Sequence, residues 1–110
     1  MKRGLVCWVN LEPASPPEFG KTRPAVIVSN SDQNVVLATV VVVPLSSRPP
    51  EIAPLRIRIE PPGLKPSFAV LPGIRAISKL RIDREVGLLA PADLEKIDRA
   101  LRLTLQDPAT

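Results

Sequence analysis

The chain carries 15 Lys and Arg against 11 Asp and Glu, and no His at all. The missing imidazole removes the commonest proton shuttle and metal ligand near neutral pH, so neither a His-based catalytic pair nor a His-bound zinc site is expected. Guanidinium, ammonium, carboxylate and hydroxyl groups remain for chemistry. The net charge of +4 is unevenly placed: residues 1–55 hold 5 basic and 4 acidic side chains, residues 56–110 hold 10 and 7. A basic surface concentrates phosphate-bearing partners through a salt-sensitive field, although the same charge also keeps proteins soluble. Cys7 is the one cysteine. It allows no internal disulfide, suits a reducing cytoplasm, and reads as a small buried side chain. Trp8, the one tryptophan, has an aromatic face that can stack a base, while its apolar strand points to packing in the core or against a second copy.

The elements that must position these groups are short. Hydrophobic residues make up 45% of the 110, mostly Val, Leu, Ile and Ala, and 14 prolines interrupt both helix interiors and central strands. That length suits one domain over residues 1–110. Period-two patterns and apolar runs bounded by turn signals predict strands over residues 5–11, 24–29, 35–45, 55–60, 67–71 and 74–78. The run VVLATVVVVPL is expected to be buried on both faces for part of its length, and LRIRIE to be half exposed. Residues 12–22 and 46–54 read as Pro-rich loops, 30–34 as a polar turn and 83–90 as a connection. Leu94, Ile97, Leu101 and Leu105 recur at helical spacing and predict a helix over 91–105, with Pro91 in its first turn. Asp93 and Glu95 near its start, with Arg99 and Arg102 near its end, suit the helix dipole. The fold class is therefore mainly β (α+β): a small barrel or rolled sheet capped by a terminal helix. No uncharged apolar stretch of about 18 residues predicts a membrane span. The basic start is followed by an apolar run that Asn10 and Glu12 break, so no signal peptide is expected.

Four stretches, in order, resemble the MazF/PemK toxin family. They are Lys2-Arg3-Gly4 leading into VCWVNLEP; Gly20-Lys21-Thr22-Arg23-Pro24 followed by AVIVSN; VVVVPLS over residues 40–46; and Ile74-Arg75-Ala76-Ile77 through Lys79-Leu80. The terminal helix matches in placement. The resemblance implies an SH3-like barrel of the CcdB–MazF type with a C-terminal helix. It also implies a homodimer and a cognate antitoxin that wraps across it, its acidic segment competing for a basic site. The activity implied is a cytoplasmic, metal-independent endoribonuclease that cuts single-stranded RNA, often messenger RNA, at short sequence sites, with no cofactor.

Metal-free cleavage needs help with loss of the 2′-OH proton, stabilisation of charge building on the phosphate, and a proton or positive field for the leaving 5′ oxygen. By resemblance, Arg23 is the catalytic arginine, whose planar fork suits phosphate oxygens; otherwise it pairs with a nearby carboxylate. Glu18, five residues earlier, is the family's loop acid and acts as general base, orients Arg23, or is a solvated loop carboxylate. Ser46 stands at the family's Thr position, where a hydroxyl bonds a phosphate oxygen or caps the strand end. Arg75 either holds RNA backbone or forms an ion pair beneath the sheet. Lys21, Arg48 and Lys79, with Arg56 and Arg58, are further candidates for phosphate contact, each alone being an ordinary surface charge.

The chain departs from the family at four acids, replaced by Leu5, Asn10, Pro72 and Ser78. Losing the acid at Pro72 leaves Glu18 as the one obvious acidic catalyst. Two alternatives therefore stand beside the nuclease: a CcdB-like toxin that poisons gyrase, and a nuclease-inactive binding module on the same fold.

Overall fold

Asn10 ends the first strand and the Gly20-Lys21 turn leads into the second, in a sheet whose remaining members follow in quick succession. The computed structural model describes residues 1–107. Its elements are β1 (Leu5–Asn10), β2 (Thr22–Ile27), α1 (Ser31–Val36), β3 (Thr39–Ser46), β4 (Arg56–Ile59), β5 (Ser67–Val70), β6 (Arg75–Ser78), β7 (Ile82–Leu88) and α2 (Pro91–Thr104). All pairings are antiparallel. The strand order is β4-β5-β3-β2-β1-β7, with β6 also on β3. The mainly β fold with its terminal helix is as expected, but the sheet stays open rather than closing into a barrel, with β4 and β7 as its ends.

The central strands are buried on both faces, which explains their β-branched runs. Val6, Val26, Val43 and Leu45 pack in one cluster with Ile97 and Ala100 of α2. Cys7, Val9, Ala25, Ile27, Val40 and Val42 form a second cluster on the opposite face. α2 buries Ile97 and leaves Leu105 exposed beyond its end.

β3 changes partners part-way. Thr39 to Val42 pair with β6, and Leu45 and Ser46 with β5. Had the Leu45↔Ala69 register continued, Val42 would face Pro72; it faces Arg75, three residues later. The inserted Leu71-Pro72-Gly73 forms a 3-10 turn beside Pro44, which has no N–H to lose from the ladder. A Cβ on Gly73 would stand 2.6 Å from Pro44 Cγ, so only glycine lets this turn close on the proline.

Three expectations need correction. Residues 30–36 are not a turn running into a strand. Asn30 caps α1, its side-chain oxygen accepting from the N–H groups of Asp32 (2.8 Å) and Gln33 (3.3 Å). The buried Asn34 amide then donates to the carbonyls of Ser29 (3.0 Å) and Met1 (3.1 Å). This local bonding overrides the strand preference of Val35 and Val36, and β3 begins only at Thr39. Residues 83–90, expected as a connection, are mostly β7, which takes the edge beside β1 with two register irregularities. Its mainly exposed side chains hide the strand pattern. Pro24 is third in β2, not first; pairing with β3 begins at the next residue, Ala25.

The amino terminus is tied down by Arg3, which pairs with Asp98 of α2 and donates from Nε to Val28 O at 3.0 Å. Gly4 follows at φ +93°, where an added Cβ would meet Leu94 at 3.1 Å. Gly4→Ala is expected to cost about 1–3 kcal/mol in denaturant unfolding, from left-handed strain and the contact with α2. Burial, reinforced by Glu85, pushes the Cys7 thiol from its usual 9.0 up to about 11. Its contribution to stability is therefore complete below pH 9 and lost as pH rises from 9 towards 11, because the unfolded thiol ionises first. Native protein should leave a thiol reagent unreacted at pH 8 and react once unfolded.

Candidate active site

The loop between β1 and β2 is held by its own carboxylates and by Arg81, just before β7. Glu12 Oε1 accepts from the Lys21 N–H at 2.6 Å, with Lys21 at φ 63°, and Leu11 N donates to Lys21 O at 2.9 Å. A Cβ at Gly20 would collide with the Glu12 carboxylate, so the turn needs glycine there. Arg81 donates to the carbonyls of Asn10 (3.2 Å) and Glu12 from the far side. Glu18 closes a small turn, its Oε1 accepting from Ser15 N–H at 2.8 Å.

Arg23 emerges at the base of this loop. Its Nε donates to Gly20 O at 3.1 Å, and its guanidinium lies 4.8 Å from the centroid of the Phe19 ring. It forms no ion pair among the described residues, so both terminal nitrogens remain available to a phosphate. Glu18, Lys21 and Arg23 share the lining of a shallow groove of about 210 Å³. On the other side of Phe19, Glu18 and Arg75 share a larger groove of about 470 Å³, walled by Leu11, Phe19, Pro72 and Gly73. Arg75 reaches Leu11 O with NH1 at 3.2 Å and makes no ion pair among the described residues.

Extending the Ala25↔Pro44 register places Ser46 across from Arg23. Ser46 is buried, and its Oγ accepts from Arg48 N–H at 3.2 Å, fixing the start of the next loop. The Arg48 side chain is exposed and lines none of these grooves. Lys79 is not brought to the site: it follows Ser78, paired with Thr39 at the opposite end of β3, about 23 Å of strand from Ser46.

Reasoning from sequence missed several residues. Phe19 was passed over, although an aromatic inside a polar, Pro-rich loop is itself a signal that the loop packs against something. Ser47, Leu64, Lys65 and Ser67 line a third groove of about 430 Å³ with Trp8, Lys21, Thr22 and Arg23. Ser47 follows β3, and Leu64, Lys65 and Ser67 run into β5; no local spacing links either group to Trp8. Among the described residues, no three Cys, Asp or Glu side chains gather as metal ligands would, and no helix is long and apolar enough to cross a membrane.

Residues 2–105 match the family model described as a PemK-like, MazF-like toxin of type II toxin–antitoxin systems. The chain belongs to the PemK/MazF toxin family. It is 33% identical over 113 residues to endoribonuclease MazF9 of Mycobacterium tuberculosis, covering 96% of each chain. A probable endoribonuclease MazF of Mycolicibacterium smegmatis is 34% identical over 90 residues, covering 78% of this chain and 82% of that one. Among solved structures, a mycobacterial endoribonuclease in complex with its cognate antitoxin superposes with a TM-score of 0.79 at 28% identity, covering 98% and 99% of the two chains. MazF from Deinococcus radiodurans gives 0.81 at 24% identity over 96% of each, a likeness of fold.

In this PemK/MazF chain, the cation–π contact identifies Phe19 as the support of Arg23. Phe19→Leu keeps an apolar side chain against Gly73 and the core cluster of Val9 and Leu11 but removes the ring face. RNA cleavage is expected to fall roughly 5- to 30-fold, the equivalent of about 1–2 kcal/mol of lost cation–π contact. A small shift in melting temperature measured alongside would separate this from unfolding.

Proposed function

We propose that the chain is a type II toxin that cuts single-stranded RNA, messenger RNA in particular, at short sequence sites without a metal ion. The observation that carries this is the Arg23 guanidinium, held at Nε and on its ring-facing side while its fork stays free beside Glu18. An always-charged planar donor pair without a carboxylate partner suits a phosphate whose charge grows during reaction. The total lack of His fits chemistry that needs neither a zinc ligand nor an imidazole shuttle.

In this mechanism Glu18 takes the proton of the 2′-OH through the carboxylate oxygen not bonded to Ser15. The 2′ oxygen attacks the adjacent phosphorus, Arg23 stabilises the equatorial oxygens, and the P–O5′ bond breaks. The 5′ oxygen takes a proton from water in the positive field of Lys21 and Arg23, Glu18 returns its proton to water, and a 2′,3′-cyclic phosphate remains. Ser46, across the ladder, steadies the strand end opposite Arg23, and its hydroxyl is the group nearest in register for a phosphate oxygen. Arg75, Lys21 and Arg48 hold flanking backbone; Lys79, at the far end of β3, contacts RNA only if the strand runs the length of the sheet.

The partners follow from the same reading. An antitoxin with an acidic segment competes with phosphate for these cations. Exposed Val35, Val36, Leu80, Leu103 and Leu105 are apolar surface that a second copy would cover. The cytoplasm, where messenger RNA is translated, is the proposed location.

One RNA assayed in EDTA with wild type, Arg23→Lys and Glu18→Gln tests the assignment. Arg23→Lys keeps the charge but loses the fork, and activity is expected to drop about 100- to 1000-fold with the melting temperature nearly unchanged. Glu18→Gln should slow cleavage and flatten the acid limb of the pH profile. Near-wild-type cleavage by Arg23→Lys would remove Arg23 from the chemistry. No cleavage by the wild type, with inhibition in a gyrase supercoiling assay, would move the protein to the CcdB-like class.

A further inference from the structure

Apart from Lys21 and Arg23, the residues lining the groove of about 430 Å³ behind Arg23 take no part in the steps above, and Trp8 forms its aromatic wall. Trp8 pairs with Pro24 on β2 and Arg84 on β7, so the three side chains form a row across one face of the sheet. One step earlier on that face, Val6 and Val26 are fully buried, whereas Trp8 is half exposed. The surface passes from core to groove within two residues. The Arg84 guanidinium stands 5.5 Å from the centre of the Trp8 ring and has no carboxylate partner among the described residues. It braces the indole and leaves its positive charge unneutralised. Around the ring are two exposed ammonium groups, Lys21 and Lys65, and the hydroxyls of Thr22, Ser47 and Ser67. Ser67 Oγ donates to Lys65 O at 2.9 Å, which keeps its lone pairs free to accept. Glu85 pairs with Cys7 and so lies on the other face, while Asp83 sits at the register irregularity beside Arg84 and forms no ion pair with it.

A half-exposed aromatic ring among unpaired cations is the arrangement that binds single-stranded nucleic acid, with the ring taking a base and the cations its phosphates. We propose that this groove is a nucleobase subsite: Trp8, braced by Arg84, stacks one base flanking the cleaved bond, and Lys21 and Lys65 hold the adjoining phosphates. This rests on the RNA-cleaving reading and names where the strand goes next. Arg23 lines both this groove and the catalytic one, so the backbone crosses from one face to the other over the end of β2. Stacking tolerates every base, so the subsite sets affinity more than sequence choice.

Because Trp8 is the one tryptophan in the chain, its fluorescence reports the site directly. The probe is a single-stranded decamer of 2′-deoxynucleotides, which lacks the attacking hydroxyl and cannot be cut. The control is an abasic decamer of equal length and charge. Binding of the normal decamer should quench Trp8 emission. The abasic one should bind about 5- to 150-fold more weakly, the range for a single stacked base, with little quenching. Trp8→Leu should raise KM for RNA over the same range with kcat changing less, Trp8→Phe should recover most of the loss, and Arg84→Gln should fall between. If Trp8→Leu does not fold, the wild-type fluorescence still decides. Equal quenching by both decamers, binding without quenching, or no binding overturns the subsite; RNA cleavage in the same preparation leaves the nuclease reading intact. Quenching without any RNA cleavage keeps the subsite and rejects the nuclease. Emission that changes with protein concentration alone, with the decamer then without effect, gives the groove to a second copy and overturns the proposal.

Discussion

The missing N–H of Pro44 is the constraint on which the site depends. In an uninterrupted ladder, three extra residues opposite β3 would strand several buried donors and acceptors, each costing about 1–3 kcal/mol. Opposite a proline, one of those donors does not exist. The insertion Leu71-Pro72-Gly73 therefore sits at the one place in β3 that can accept it cheaply, and Gly73 allows it to close directly on the proline ring. β5 and β6 become two partners of one strand instead of a single long one. The turn between them projects Pro72, Gly73, Ile74 and Arg75 towards the β1–β2 loop, and the groove shared by Glu18 and Arg75 is the space between the two.

The facing loop is built to a different rule. It has little apolar surface of its own and is ordered by backbone hydrogen bonds to a few charged side chains. Glu12 fixes the Lys21 turn, Arg81 clamps the opposite strand end, and Glu18 closes the Ser15 turn. Only Phe19 packs: an added Cβ at Gly73 would stand 3.3 Å from its ring. Phe19 therefore joins the two walls and at the same time carries Arg23 on its other face. Pre-organising a guanidinium by stacking has an advantage over an ion pair here. A carboxylate would neutralise the charge that the phosphate requires, whereas the ring orients the fork and leaves its charge intact.

How much of this was readable from sequence follows from which interactions are local. β1, β3, β4 and α2 are written in periodicity and apolar runs, and appear within a residue or two of the expected limits, apart from the start of β3. That start was hidden because Asn30 caps a short helix, and two valines then enter a helical turn against their strand preference. β7 was missed because an edge strand with mostly exposed side chains carries almost no apolar alternation. Arg23 and Glu18 were found by motif, and the structure brings them to one groove. Ser46 lies across the ladder from Arg23 but buried, and Lys79 lies far along β3; neither burial nor the length of β3 between two motifs is visible in the motifs themselves. The Trp8 groove draws on four separate segments, with Arg84 bracing the indole from a fifth, so only the folded chain assembles it.

Pro72, where the family resemblance places an acid, has a definite physical meaning under the proposed function. Pro72 lines the groove that holds Glu18 and Arg75, so a neutral ring stands where an acid would set a negative charge against the proposed polyanion. Across the adjoining grooves, Glu18 and Glu12 then stand against Lys21, Arg23 and Arg75, and Glu12 is already bound to backbone. The field at an incoming phosphate becomes more attractive, which favours binding of ground state and transition state alike. Uniform binding of that kind lowers KM without raising kcat. In the proposed mechanism proton removal rests on Glu18 alone, the one carboxylate that lines both of these grooves. Under the proposed function Pro72 thus favours capture of RNA over rate, and Arg23 carries the stabilisation of charge on the phosphate.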